Sequence, residues 1–186
     1  MKRVCCVLAS TLLFAACGSN APEPAPAAES SAAPAARPYG TLARMMQAIA
    51  FPASNIIFDA QSTDPGATKE PGERGAGATA DFASVYGGWM GVENAAIALQ
   101  ETANLLIIPG RMCDNGKPAP VEQEDYRRFT QQLVDAGAAA LKAAQAKDLD
   151  AIVDVSGTVT EACAACHDVY RDKEDPADRC TVPAGN

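Results

Sequence analysis

Residues 149–170 read LDAIVDVSGTVTEACAACHDVY, in which Leu149, Ile152, Ser156, Val159, Cys163, Cys166 and Tyr170 recur at alternating steps of three and four. That spacing lines one face of a helix of 3.6 residues per turn; a strand would alternate at every second residue. The same seam appears in three earlier stretches. The first carries Leu42, Met46, Ile49, Ala53 and Ile56, the second Trp89, Val92, Ala96, Leu99, Ala103 and Leu106, and the third Tyr126, Phe129, Leu133, Ala136 and Ala140. Four one-sided helices bury their stripes against one another, so the expected fold is all-α, an antiparallel four-helix bundle. The punctuation agrees: Pro109-Gly110 ends the second helix, Pro118 and Pro120 precede the third, and Asp148 caps the fourth. Pro52 is expected to kink or break the first helix near Phe51, because it lacks an N–H and clashes with the preceding turn. Ser62 to Ala80, rich in Gly, Pro and charge, reads as a long surface loop between the first two helices.

The last stretch also carries chemistry. Cys163-Ala-Ala-Cys166-His167 has the spacing of c-type haem attachment, and His167 is the only histidine of the chain. Each thiol can add to a haem vinyl group, and the adjacent imidazole is then held where it can bind the iron. A zinc site would need four ligands, and the chain offers no second set. A thioredoxin-like pair would open a helix in a βαβ setting, whereas this pair closes an all-helical pattern. One covalent haem c is therefore expected near the end of the last helix, joined to Cys163 and Cys166 with His167 as axial ligand. Both thiols lie on the seam, which turns the haem toward the core. With no spare histidine, P-loop or dinucleotide fingerprint, no enzyme is expected.

At the other end, Lys2 and Arg3 followed by the apolar run Val4 to Ala16 form a secretory leader, residues 1–16, too short to span a bilayer comfortably. Leu12-Leu13-Phe14-Ala15-Ala16-Cys17 looks like a bacterial lipoprotein signal with Cys17 lipidated, although Phe14 stands where that pattern prefers Leu. Ordinary cleavage near Ala16 and Gly18 is the alternative. Either route exports the domain, and the expected location is the periplasm, with the membrane touched only through the lipid on Cys17. Residues 17–38, built of Ala, Pro, Ser and Glu, read as a disordered tether, and residues 39–186 as the bundle. Of the seven cysteines, Cys5 and Cys6 leave with the leader, Cys17 takes lipid and two take haem. Cys113 and Cys180 remain, which in an oxidising compartment suggests a disulfide; two separate buried thiols are the alternative.

The formal charge is −8, and loss of Lys2 and Arg3 makes the mature chain more acidic still. Nucleic acid is then an unsuitable partner. The acidic runs at Glu122, Glu124 and Asp125 and at Asp172, Glu174, Asp175 and Asp178 read as solvated faces. The second follows the haem motif, where it can steer a basic redox partner of the cell envelope.

From Tyr39 to Arg171 the chain resembles the class II c-type cytochromes, the cytochrome c′ family. The resemblance rests on Cys163-Ala-Ala-Cys166-His167-Asp168-Val169-Tyr170-Arg171 and, much more weakly, on Met46, Ile49 and Pro52 with Ala53 to Phe58. The tail Asp175 to Cys180 and the loop Pro109 to Cys113 are outside the general pattern and point to a lipoprotein-like subgroup. The resemblance implies two choices for the iron. Low-spin members take a methionine of the first helix as sixth ligand, which suits one-electron transfer; others keep an apolar distal side, open to nitric oxide or carbon monoxide. Met46, on the seam with Leu42 and Ile49, is the expected sixth ligand. Met45, one residue off the seam, and no ligand at all are the alternatives. Arg171, one turn beyond His167, can meet a haem propionate or the proximal edge, or simply face water. Trp89 and Tyr126 read as core aromatics. A homodimer through the first two helices, burying Trp89 or Val92, also fits such relatives. Three readings result: an electron-transfer haem protein, a gas-binding one, and a helical lipoprotein in which the motif is vestigial.

Overall fold

A computed structural model describes residues 35–67 and 87–182. The leader, Cys17, most of the tether and most of the Ser62 to Ala80 loop lie outside the described residues.

The first helix, α1, covers 42–59 in three pieces: an α-helical turn Leu42–Met45, a π-helical stretch Met46–Ala50 and an α-helix Phe51–Asp59. Thr41 caps it, its hydroxyl accepting from the Arg44 N–H at 3.3 Å. Pro52 does not break this helix. The Phe51 N–H bonds back to the Met46 carbonyl, five residues earlier, and the wider turn accommodates the proline that follows. A π turn holds one extra residue, so every later side chain is displaced by one position. Ile57 is fully buried and Ile56 is 46% exposed, a correction to the seam expected from the heptad steps.

The second helix, α2 (Gly88–Leu106), keeps its expected seam: Val92, Ala96, Leu99, Ala103 and Leu106 are buried and Trp89 is half-buried against the core. It stops before Pro109, with Gly110 at φ +82° where glycine alone is unstrained. The third, α3 (Glu124–Ala146), starts with Glu124 and Asp125, whose charges suit the positive end of the helix dipole. Its seam residues Tyr126, Phe129, Leu133, Ala136 and Ala140 are all buried. Lys147, left-handed at φ 53°, and Asp148 alone join it to α4 (Leu149–Tyr170). So short a link forces α3 and α4 antiparallel. Asp148 caps α4, accepting from the Ala151 N–H at 3.0 Å.

Helix α3 packs on both α2 and α4, and the Phe51–Asp59 part of α1 closes the bundle against α2 and α4. Gly137 makes the α2–α3 approach close: a Cβ there would lie 2.7 Å from Gln100 Cγ and 3.0 Å from the Ala96 carbonyl oxygen. The main core is aliphatic and alanine-rich, with Ile57, Ala96, Leu99, Ala140, Ala144, Ile152 and Val159 at 0% exposure. A second cluster of Cys113, Ala119, Val121, Tyr126, Phe129, Tyr170 and Cys180 sits at one end. Leu42 packs on that cluster, and the Ser156 hydroxyl reaches the Ile57 carbonyl at 3.4 Å. The start of α1 therefore lies by the end of α4. No strand occurs among the described residues, and no helix there is long and apolar enough to cross a membrane.

Candidate haem attachment site

On a helix turning about 100° per residue, Cys163, Cys166 and His167 fall within an arc of about 100°. All three are half-buried on the last two turns of α4. They divide their neighbours: Cys163 packs on the main core and Cys166 on the second cluster. Both are free thiols. Burial holds Cys163 above the usual thiol range, with Arg171 acting the other way. Cys166 is pushed up to about 12 by burial and then by Cys163 and Asp125. His167 is held below its ordinary value by burial and then by Arg171, so at neutral pH it is the neutral imidazole that binds metals. Its ring makes no hydrogen bond among the described residues.

Across the bundle, Leu42, Met45, Met46 and Ile49 are also only half-buried; Ala50 alone is buried in the Leu42–Ala50 segment. Met45 and Met46 both pack on the main core, so Met45 is not turned away from it. Antiparallel register, counted back from Ile57 beside Ser156, brings Met46 to about the level of His167. Two helix segments at one end of the bundle thus carry loosely covered apolar and sulfur side chains, whereas the seam of α3 is closed throughout. Two unbridged thiols, a neutral imidazole whose ring makes no hydrogen bond among the described residues, and two thioethers packed on the same core cluster as Cys163 suit a covalent, axially ligated haem, and the residues present fit it.

Arg171 is exposed and its guanidinium grips Asp172 in a fork, Nε to Oδ1 at 2.7 Å and Nη2 to Oδ2 at 3.0 Å. The other cysteine pair is joined: Cys113 and Cys180 form a disulfide, with Cα atoms 6.7 Å apart. The bridge draws the tail across the end of α4. The Cys180 N–H bonds the Tyr170 carbonyl at 2.8 Å, Arg179 Nε bonds the Arg171 carbonyl at 3.0 Å, and Asn115 donates to the carbonyls of Pro176, Ala177 and Arg179.

Two features had no signal in the sequence. Tyr170 donates to Asp125 at 2.6 Å, so Asp125 is no simple solvated charge; Glu122 likewise pairs with Arg127 and Asp172 with Arg171. Arg111, a loop residue, is 2% exposed. Val92, at 2% exposure, is enclosed within the bundle and is not offered to a second subunit. Two cavities lie away from the motif, one of about 180 Å³ between α2 and α3 beside Asn104 and Arg127, the other along Asn55 to Ser62.

A model of the cytochrome c′ family matches residues 121–171, which span α3 and α4 through Arg171. That match supports kinship with the family and, with the four-helix fold, haem as the cofactor. No curated protein and no solved structure matches the chain.

Proposed function

We propose that the protein is a monohaem c-type cytochrome that carries single electrons, with haem c attached to Cys163 and Cys166, His167 as one axial ligand and Met46 as the other. The observation that carries this is the division of the four cysteines of the bundle. Cys113 and Cys180 are bridged, while Cys163 and Cys166 stay free on one face of α4 beside His167, and Cys163 shares its core cluster with Met45 and Met46 of α1. The haem supplies an iron that cycles reversibly between two oxidation states. The chain holds His167 on a rigid helix, with the apolar Leu42 packed on both the main core and the end cluster beside it. The π turn that begins at Met46 favours this helix as a functional element, since such turns concentrate at sites.

The optical spectrum of the haem-loaded protein tests the ligands. A low-spin spectrum that carbon monoxide leaves unchanged in the reduced form, and that Met46→Ala converts to a high-spin, gas-binding one, is the expected result. A high-spin spectrum in the native chain would remove Met46 from the iron and assign the protein to gas binding. Absence of covalent haem after expression with the maturation machinery would discard both readings.

The disulfide supports an oxidising compartment, here the periplasm, and Cys17 supports a lipid anchor there. Cell fractionation checks this: the native chain is expected with membranes, and Cys17→Ser in the soluble periplasm. The exposed carboxylates Asp168, Asp172, Glu174, Asp175 and Asp178 next to the motif support a basic redox partner, whose association would slow steeply with added salt.

A further inference from the structure

Arg111 lies in the loop after α2 at 2% exposure, and every bond its guanidinium makes is to a backbone carbonyl. Nε and Nη2 donate to the Leu105 oxygen at 3.0 and 2.7 Å, and Nη1 donates to the Gly40 oxygen at 2.7 Å. Among the described residues no carboxylate pairs with it. Asp114 bonds the Thr41 hydroxyl, Glu122 pairs with Arg127 and Asp125 accepts from Tyr170. Burying a charge without a counter-charge costs several kcal/mol. Two carbonyls could be satisfied by neutral amide donors at far lower cost. A guanidinium has five N–H donors, and the three bonds to carbonyls leave two of them for another acceptor.

The place of this charge is informative. The carbonyls it holds belong to the entry of α1 and the last turn of α2, and its own carbonyl accepts from the Ala119 N–H at 2.8 Å. Ala119 belongs to the end cluster on which Cys166 packs. Tyr126, whose hydroxyl donates to the neighbouring Leu106 carbonyl at 3.5 Å, stacks edge-on against Tyr170 with centroids 5.6 Å apart. Arg111 is thus built into the end of the bundle that carries the attachment motif.

We propose that Arg111 is a buried positive charge set against the haem, whose propionates supply the negative charge this pocket lacks, and that it raises the reduction potential of the iron. This rests on the haem reading above. A fixed positive charge in a low-dielectric interior disfavours the more positive oxidised iron and so favours reduction. The expected scale is roughly tenfold in the redox equilibrium, the order of a single fixed charge acting at an effective dielectric constant near 20.

The test is the midpoint potential of the haem-loaded native protein, Arg111→Lys, Arg111→Gln and Arg111→Met, measured after the haem content of each has been established by its alkaline pyridine spectrum. Loss of the charge in the Gln and Met forms is expected to lower the potential by about 59 mV, which is tenfold for one electron, with Lys staying near the native value. Equal potentials in all four would overturn the proposal while leaving the haem reading intact. A shift common to Lys, Gln and Met would also overturn it, since packing and not charge would then be responsible. So would failure of both neutral forms to give folded haem protein, which would assign the guanidinium to holding the two carbonyls together. A native chain without haem would instead defeat the reading on which the proposal depends.

Discussion

Tyr170 shows how much one side chain at the end of α4 has to satisfy. Its ring meets Tyr126 and Phe129 edge-on, its carbonyl accepts from Cys180, and its hydroxyl donates to Asp125. Removing the hydroxyl takes away one charge-assisted hydrogen bond to a half-buried carboxylate, so Tyr170→Phe is expected to cost about 1.5–3 kcal/mol in urea unfolding; a loss below about 0.5 kcal/mol would refute the bond's importance. The same residue predicts an alkaline limb. Burial, reinforced at Tyr170 by Asp125, raises Tyr126 and Tyr170 above the ordinary phenol value. In the unfolded chain both ionise near 10, whereas the folded protein keeps their protons. The folded state then binds more protons, so stability is complete below about pH 10 and falls as the pH rises further. Tyr170→Phe should flatten that fall between pH 9 and 11, and an unchanged slope would exclude Tyr170 as its source. The spacing of Cys163, Cys166 and His167 was legible because the motif is local in sequence. Arg111 and the Asp125–Tyr170 bond were not, since nothing near either residue reveals a partner far along the chain.

At the scale of the element, α1 is the instructive case. The seam steps placed Ile56 inside, and they fail there because one π turn intervenes between Met46 and Phe51. Proline in a helix interior removes one hydrogen bond and crowds the preceding turn; lengthening that turn relieves the crowding without ending the helix. If Met46–Ala50 is an α-helical turn carrying one extra residue, deleting the exposed Ala48 should let the segment close as α-helix. Ala53 and Ile57 would stay in the core, and the denaturation midpoint should remain near that of the native chain. A loss of more than about 3 kcal/mol, the scale of a core residue pulled out of place, would refute this account. The seams of α2, α3 and α4 needed no such correction. Those helices have no interior proline, so a period of 3.6 runs through them unbroken.

For the whole molecule, the decisive contact is the covalent one between two loops. The Cys113–Cys180 bridge spans 67 residues and, with the Asn115 bonds, fastens the loop after α2 to the tail beyond α4. Closing a loop of that length restricts the unfolded chain, so Cys113→Ser/Cys180→Ser is expected to lower stability by roughly 2–4 kcal/mol. Equal unfolding curves for the native and double-variant proteins would show that the tail is held without it. The helix count, the antiparallel α3–α4 pair, the Asp148 cap and the attachment motif follow from the sequence alone, because helical period, capping and a five-residue chemical motif all act within a few turns. Three things were decided only by tertiary structure: the phase of α1 after its π turn, the burial of Arg111 and the linkage of Asp125 to Tyr170. Each depends on which distant groups are brought together when the helices pack, and neither period nor propensity encodes that in any single stretch of chain.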